Sequence, residues 1–215
     1  MLMLMSSVPT QASSTLAWED LFERESSGPL GSPWVDPFDA YRIDQASGRA
    51  YAPAPIGRAW RDTGTTSHEI EVTPYKLTDA GTGNSIGGVT VGLVDDNNFV
   101  GYELVKTTST FMNGPEAKSV LYLRVAGQET VVVEVPHPEF AIDQTIDLRL
   151  RKVGKVVEAY LDDVLDATYR LDGEQARALA GTNAGLANFA GPNNFYEARA
   201  FAIVTTKGKP PKGPS

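Results

Sequence analysis

Residues 147–170 read DLRLRKVGKVVEAYLDDVLDATYR, and this stretch decides the fold. Leu148 and Leu150, with Lys152 next in line, fall on one parity; Asp147, Arg149 and Arg151 fall on the other. Successive side chains of a strand point to opposite faces, so the pattern describes a sheet with one buried and one solvated side. Val153-Gly154 and Asp162-Asp163 supply the reversals, because Gly adopts positive φ without steric cost and Asp bonds its own backbone in a turn. Three short antiparallel strands are expected here.

Working outward, the same rhythm recurs. Ser67–Val72 (SHEIEV) alternates, with Ile70 and Val72 on one face and Glu69 and Glu71 on the other. Gly87–Val94 and Asn98–Lys106 flank Asp95-Asp96-Asn97 as a hairpin, and Ser119–Val125 and Glu129–Val135 pair across Ala126-Gly127-Gln128. Between these hairpins 107–118 reads as a polar loop containing Gly114-Pro115. Asp172–Ala180 (DGEQARALA) is the one helical window, with Asp172 as N-cap, Glu174 in the first turn and Gly181 as stop. Ala184–Ala190 and Phe195–Val204 supply the closing strands, and the aromatics from Trp18 to Tyr51 are spaced by Gly and Pro, which predicts short, irregular strands. Roughly ten strands, one helix and no βαβ rhythm predict an all-β antiparallel jelly-roll sandwich.

The expected organisation is an N-terminal arm over 1–16, a sandwich over 17–205 and a Lys/Pro/Gly-rich tail over 206–215. A chain of 215 residues with 41% hydrophobic and 21% charged residues has enough apolar material for one core. The absence of cysteine excludes disulfides and cysteine-ligated metal sites. A formal net charge of −8 disfavours nucleic acid, whose phosphates need clustered Lys and Arg. The apolar tip MLMLM lacks the basic flank and length of a secretory leader, and no run approaches the roughly 20 apolar residues of a membrane span, so neither is expected. Met1, Leu2, Met3, Leu4 and Met5 are instead candidate oligomer contacts, since flexible Met and Leu side chains fill irregular apolar grooves.

DLFERESSGPLGSPW (20–34) resembles the Asp-x-Phe-x-Arg, Gly-x-x-Trp opening of concanavalin A-like, laminin-G-like jelly-roll domains of minor tail proteins in actinobacterial phages. The likeness continues through VGLVDDNNFVGYELV (91–105), LRLRKVGKVVEAYLDDVLDATY (148–169) and AGLANFAGPNNFYEARAFAI (184–203), covering about 18–204. These are strand and turn patterns rather than catalytic signatures. The resemblance implies a virion component displayed on a phage particle, with other virion proteins and host-surface polysaccharide as partners.

Residue by residue, the chemistry is sparse. Glucanases of this fold carry E-x-D-x-x-E, because retaining hydrolysis needs two carboxyls about 5 Å apart. Glu69-Ile70-Glu71 begins that way, but Pro74 stands where the third carboxylate would fall, so a solvated face is expected. Asp95, Asp96, Asn97 and Asn98 could ligate calcium, but match no defined loop and are explained by a turn, as are Asp162, Asp163 and Asp166. His68 and His137 are read as surface residues with no triad around them. GTGNSIGG (81–88) precedes a strand rather than a helix, so it is read as a loop, not a phosphate cradle. Trp18, Phe22, Trp34 and Phe201 are assigned to the core. Trp60, Tyr75, Phe111, Asn193, Asn194 and Tyr196 form the candidate sugar site, as aromatic platforms beside amides. The leading expectation is a noncatalytic virion protein, a minor tail or decoration component that forms a homo-oligomer through its arms. A carbohydrate-binding module for host recognition is the alternative, with glycan hydrolysis third.

Overall fold

The computed structural model describes residues 11–53, 56–78, 84–107 and 116–206. In chain order the strands are β1 (Gln11–Asp20), β2 (Gly28–Pro29), β3 (Arg42–Asp44), β4 (Arg49–Tyr51), β5 (Gly57–Asp62), β6 (His68–Lys76), β7 (Asn84–Asp95) and β8 (Asn98–Thr107). They continue with β9 (Glu116–Val125), β10 (Gln128–Pro136), β11 (Thr145–Val153), β12 (Val156–Leu161), β13 (Val164–Arg170), the helix α1 (Gly173–Ala178), β14 (Asn183–Ala190), β15 (Asn194–Phe195) and β16 (Ala198–Thr206). Two antiparallel sheets result. One runs β13-β12-β11-β6-β15-β4-β3-β2, with β16 also on β6 and β1 on β16; the other runs β10-β9-β8-β7-β14-β5.

The stretch that decided the fold folds as read. Leu148, Leu150 and Lys152 are buried, and both Asp162 and Asp163 take positive φ at the second reversal. At the first, Val153 pairs with Val156, so the turn itself is Gly154-Lys155, with Gly154 at φ +57°. Between the sheets lies one continuous core, which includes Tyr41, Ile70, Tyr75, Tyr102, Leu148, Leu186 and Phe195. Helix α1 closes one end with a full capping box: the Asp172 carboxylate accepts from the Glu174 and Gln175 amides, and the Gln175 side chain accepts from Asp172 N–H. No helix among the described residues is long and apolar enough to cross a membrane.

The Asp-x-Phe-x-Arg, Gly-x-x-Trp pattern is a structural knot. Asp20 accepts from Phe22 N–H at 2.8 Å, Trp34 Nε1 at 2.7 Å and Arg24 at 2.7 Å. Burial works to raise the Asp20 pKa, but these bonds outweigh it and hold the carboxyl below its ordinary range. Trp34 meets Trp18 edge-on at 5.2 Å, and Arg61 lies 4.8 Å over Trp18.

Three expectations are corrected. Residues 11–16, read as part of an arm, belong to β1 and pair with β16, because a Ser/Thr-rich strand suits a solvated sheet position. The expected strand over Phe195–Val204 is two strands, broken at Tyr196-Glu197. Phe201 is only half-buried, whereas its β16 neighbours Ala198 and Ala200 are buried. Met1, Leu2, Met3, Leu4 and Met5 lie outside the described residues, as does the tail from 207.

Candidate functional site

The outer face of the six-stranded sheet carries a cleft of 440 Å³. Its shape follows from register. One row across the sheet runs Glu134, Val120, Glu103, Gly88, Ala187, Arg58; the next runs Val131, Tyr122, Gly101, Thr90, Gly185, Trp60. Gly88 and Ala187 in the first row, and Gly101, Thr90 and Gly185 in the second, add little side-chain bulk beside Glu103, Val120 and Tyr122. Gly101 has no alternative: a Cβ would lie 2.3 Å from Tyr122 Cζ. The Tyr122 ring can therefore reach Glu103, donating its hydroxyl to Oε1 at 2.7 Å.

Glu103 is the central group. Burial raises its pKa to about 7 and Glu129 adds to the rise, while the Tyr122 hydroxyl and Arg58 oppose it. Beside it Arg58 lies 4.6 Å over the Phe99 ring and pairs with Asp96. Phe99 meets Tyr122 edge-on at 5.9 Å, and both belong to a small cluster with Leu93 and Val120 on this outer face. The walls are amphipathic. Phe38 and Phe189 remain 49% and 52% exposed, joined by Ile56 and Val131, whereas Lys118 reaches Glu134 at 3.0 Å and Arg124 reaches Glu129 at 3.8 Å. A more open recess of 580 Å³ adjoins the cleft through Glu116, Lys118 and Glu134. The arrangement offers apolar ring faces beside planar charged side chains, with one carboxyl poised to change charge near neutrality.

The residues expected to bind sugar are not brought together. Trp60 lies on the cleft face, but at its edge strand, packed against the Leu93–Phe99 cluster. Tyr75 is a core residue, 5.2 Å from Phe195, and not an exposed platform. Asn193 is fully buried and structural: its amide nitrogen donates to Asn188 Oδ1 and Ala190 O, and its oxygen accepts from Thr78 N–H and the Ser85 hydroxyl. Asn194 is buried too, donating to Thr78 Oγ1 at 2.9 Å. Tyr196 is half-buried beside the ten-stranded sheet, with its amide on Pro74 O. Phe111 lies outside the described residues. The amides serve the loop closing β14 onto β15, because a buried turn must satisfy its backbone groups internally.

The remaining acids are engaged separately. Asp95 accepts from Asn97 N–H and Asn98 Nδ2, and Asn98 Oδ1 accepts from Ala126 N–H, which locks the two hairpin turns together. Among the described residues no three metal-ligating side chains converge. Glu69 and Glu71 stand on the outer face of the ten-stranded sheet, opposite Arg151 and Arg149 in register and away from the cleft.

Neither histidine is a surface residue. His68 is fully buried; its Nδ1 lies 2.7 Å from Thr65 O and its Nε2 accepts from Gly92 N–H, so backbone fixes the tautomer. Burial lowers its pKa to about 4. His137 has a largely covered side chain, stacked on Phe140 at 4.3 Å, with Nε2 on Asp166 Oδ1 at 3.0 Å and on Ser119 at 3.3 Å. Ser, His and Asp thus do meet, but Ser119 and Asp166 share one ring nitrogen, and Ser119 is buried and donates to Asp166. The other ring nitrogen, Nδ1, lies 3.1 Å from Glu139 Oε1, and the network ties β9 and β13 to the loop that follows β10.

The cleft residues Glu103, Tyr122, Arg58 and Phe189 were missed. The signal was a Glu at 103 within the apolar run NFVGYELVK, on the parity of Phe99, Gly101 and Val105.

No protein-family model matches the chain, and no curated protein matches it by sequence. Solved structures do match in shape. The CBM2 module of the evolved Dit of Lactobacillus casei BL23 phage J-1 aligns with a TM-score of 0.60 at 12% identity, covering 90% of this chain and 97% of that one. The carbohydrate-binding module CBM66 from Bacillus subtilis aligns at 0.52 with 15% identity over 82% and 95%. The endo-β-1,3-glucanase of Pyrococcus furiosus aligns at 0.55 with 13% identity over 90% and 96%. At these identities the likeness establishes the concanavalin A-like jelly-roll sandwich, as expected from sequence, and nothing finer.

Proposed function

We propose that this chain is a noncatalytic carbohydrate-binding module that holds a glycan in the cleft over Glu103. The observation that carries the reading is the cleft itself: a groove on the outer face of the six-stranded sheet over Glu103, Val120 and Ala187, walled by the exposed rings of Phe38 and Phe189 and lined with charged side chains that include Arg58, Glu129 and Glu134. Sugar rings stack their apolar faces on aromatics and direct hydroxyls at such groups. The shape shared with two carbohydrate-binding modules supports it. Against hydrolysis, every other carboxylate lining the cleft is held by a cation: Asp96 by Arg58, Glu129 by Arg124, and Glu116 and Glu134 by Lys118. Affinity electrophoresis through immobilised cell-wall polysaccharides tests the reading. Retardation lost in Phe189→Ala supports it, whereas no retardation by any polysaccharide, or release of reducing sugar, refutes it.

A second reading concerns where the module works. The motif over 20–34 and the likeness to the phage Dit module favour a phage particle, with the protein contacting other virion components and host-surface polysaccharide. The chain is then a homo-oligomer whose contacts include Met1 to Met5. Deleting residues 1–10, which spares β1, should abolish incorporation into particles; unchanged incorporation removes the oligomer-contact role.

A further inference from the structure

We propose that the glycan accepted by the cleft is uncharged or amino-bearing, and that polymers carrying carboxylate, sulfate or phosphate are excluded. The inference rests on the carbohydrate reading and adds the ligand's charge class.

The argument is a charge count along the lining. Five carboxyl groups face the cleft, Asp96, Glu103, Glu116, Glu129 and Glu134, against three cations, Arg58, Lys118 and Arg124, and the acids outnumber the cations even with Glu103 in its neutral form. The cations are moreover already committed. Arg58 bonds Asp96 while lying over Phe99, Lys118 sits between Glu134 at 3.0 Å and Glu116 at 3.4 Å, and Arg124 faces Glu129 at 3.8 Å. An anionic sugar would meet a carboxylate beside every cation of the lining, so reaching a cation would bring like charges together and weaken the pair that the cation already makes. Sites that capture anions present unspent, forked Arg or convergent backbone N–H groups. The hydroxyls of a neutral sugar can instead donate to carboxylate oxygens and accept from the cations without breaking a pair. An ammonium on the sugar would meet net negative charge. The whole chain's net charge of −8 acts in the same direction at longer range. Lys106 lines only the adjoining recess.

The test compares retardation by a neutral β-glucan, a neutral mannan, a glucosamine polymer and polygalacturonate of similar length, each at low and physiological salt. At least one uncharged or amino-bearing polymer should bind about tenfold or more tightly than polygalacturonate. Glu129→Lys combined with Glu134→Lys should narrow that gap by strengthening polygalacturonate binding. Equal or preferential binding of polygalacturonate by the parent overturns the charge assignment and leaves the carbohydrate reading standing. Binding of none of the four, extended to the cell-wall panel, overturns the carbohydrate reading and with it this inference.

Discussion

Replacing Glu103 with Gln should uncover a pH dependence of stability that the parent protein conceals. Glu103 has its pKa raised from 4.5 to about 7, chiefly by burial, so the fold favours its neutral form. Its contribution to stability is complete below pH 4.5 and is lost as pH rises through about 7. His68 works the other way: burial lowers its pKa from 6.5 to about 4, so its contribution is complete above pH 6.5 and is lost as pH falls through about 4. Between pH 4.5 and 6.5 each group changes stability by about 2 kcal/mol, with opposite signs, and the two cancel. Glu103→Gln removes one of them. Relative to the parent, the variant should gain about 2 kcal/mol as pH rises across that window. His68→Gln should lose a similar amount relative to the parent over the same rise. Urea unfolding at steps of pH, with m-values compared to confirm that the unfolded states match, measures both differences; the other titrating groups cancel in the subtraction. Differences that stay constant across the window would refute the assigned burial of these two groups.

Other substitutions separate the cleft from the scaffold. Gly101→Ala should displace the Tyr122 ring, costing about 1–3 kcal/mol in urea unfolding and weakening polysaccharide retardation together. Asn193→Ala should cost about 1–3 kcal/mol by removing the acceptor of the Ser85 hydroxyl and one of the two acceptors of the Thr78 amide, with retardation intact at temperatures where the variant is folded. Phe189→Ala, at an exposed position, should weaken retardation about tenfold while unfolding shifts by no more than about 0.5 kcal/mol. Asp20→Ala should cost about 2–4 kcal/mol, because Trp34 Nε1, the Phe22 amide and Arg24 lose one shared acceptor.

The strands and turns were legible because their signals are local. Parity along 147–153 and Gly or Asp at the reversals need only the neighbouring residues. The errors have a common cause in the contacts of side chains that are remote in the chain. Asn193 and Asn194 look like surface amides beside Gly191-Pro192, yet Ser85 and Thr78 draw them inward from more than a hundred residues away. His68 looks polar and solvated until Gly92, 24 residues further on, donates its backbone N–H to Nε2. Residues 11–16 carry no apolar pattern, so their pairing with β16 depends on the far end of the chain.

By itself, then, the sequence determined an antiparallel two-faced sheet structure, its hairpins, its capped helix and a net negative charge, since alternation, turn chemistry and composition are properties of short windows. Tertiary structure alone decided the cleft. Its lining exists because Val120 and Glu103 face each other across strands, with Ala187 in the same register row, and its electrostatics exist because Arg58 meets Asp96 and Tyr122 meets Glu103 from separate parts of the chain. Register is settled by burying one whole face of each strand at once, a condition that no single window of the chain contains.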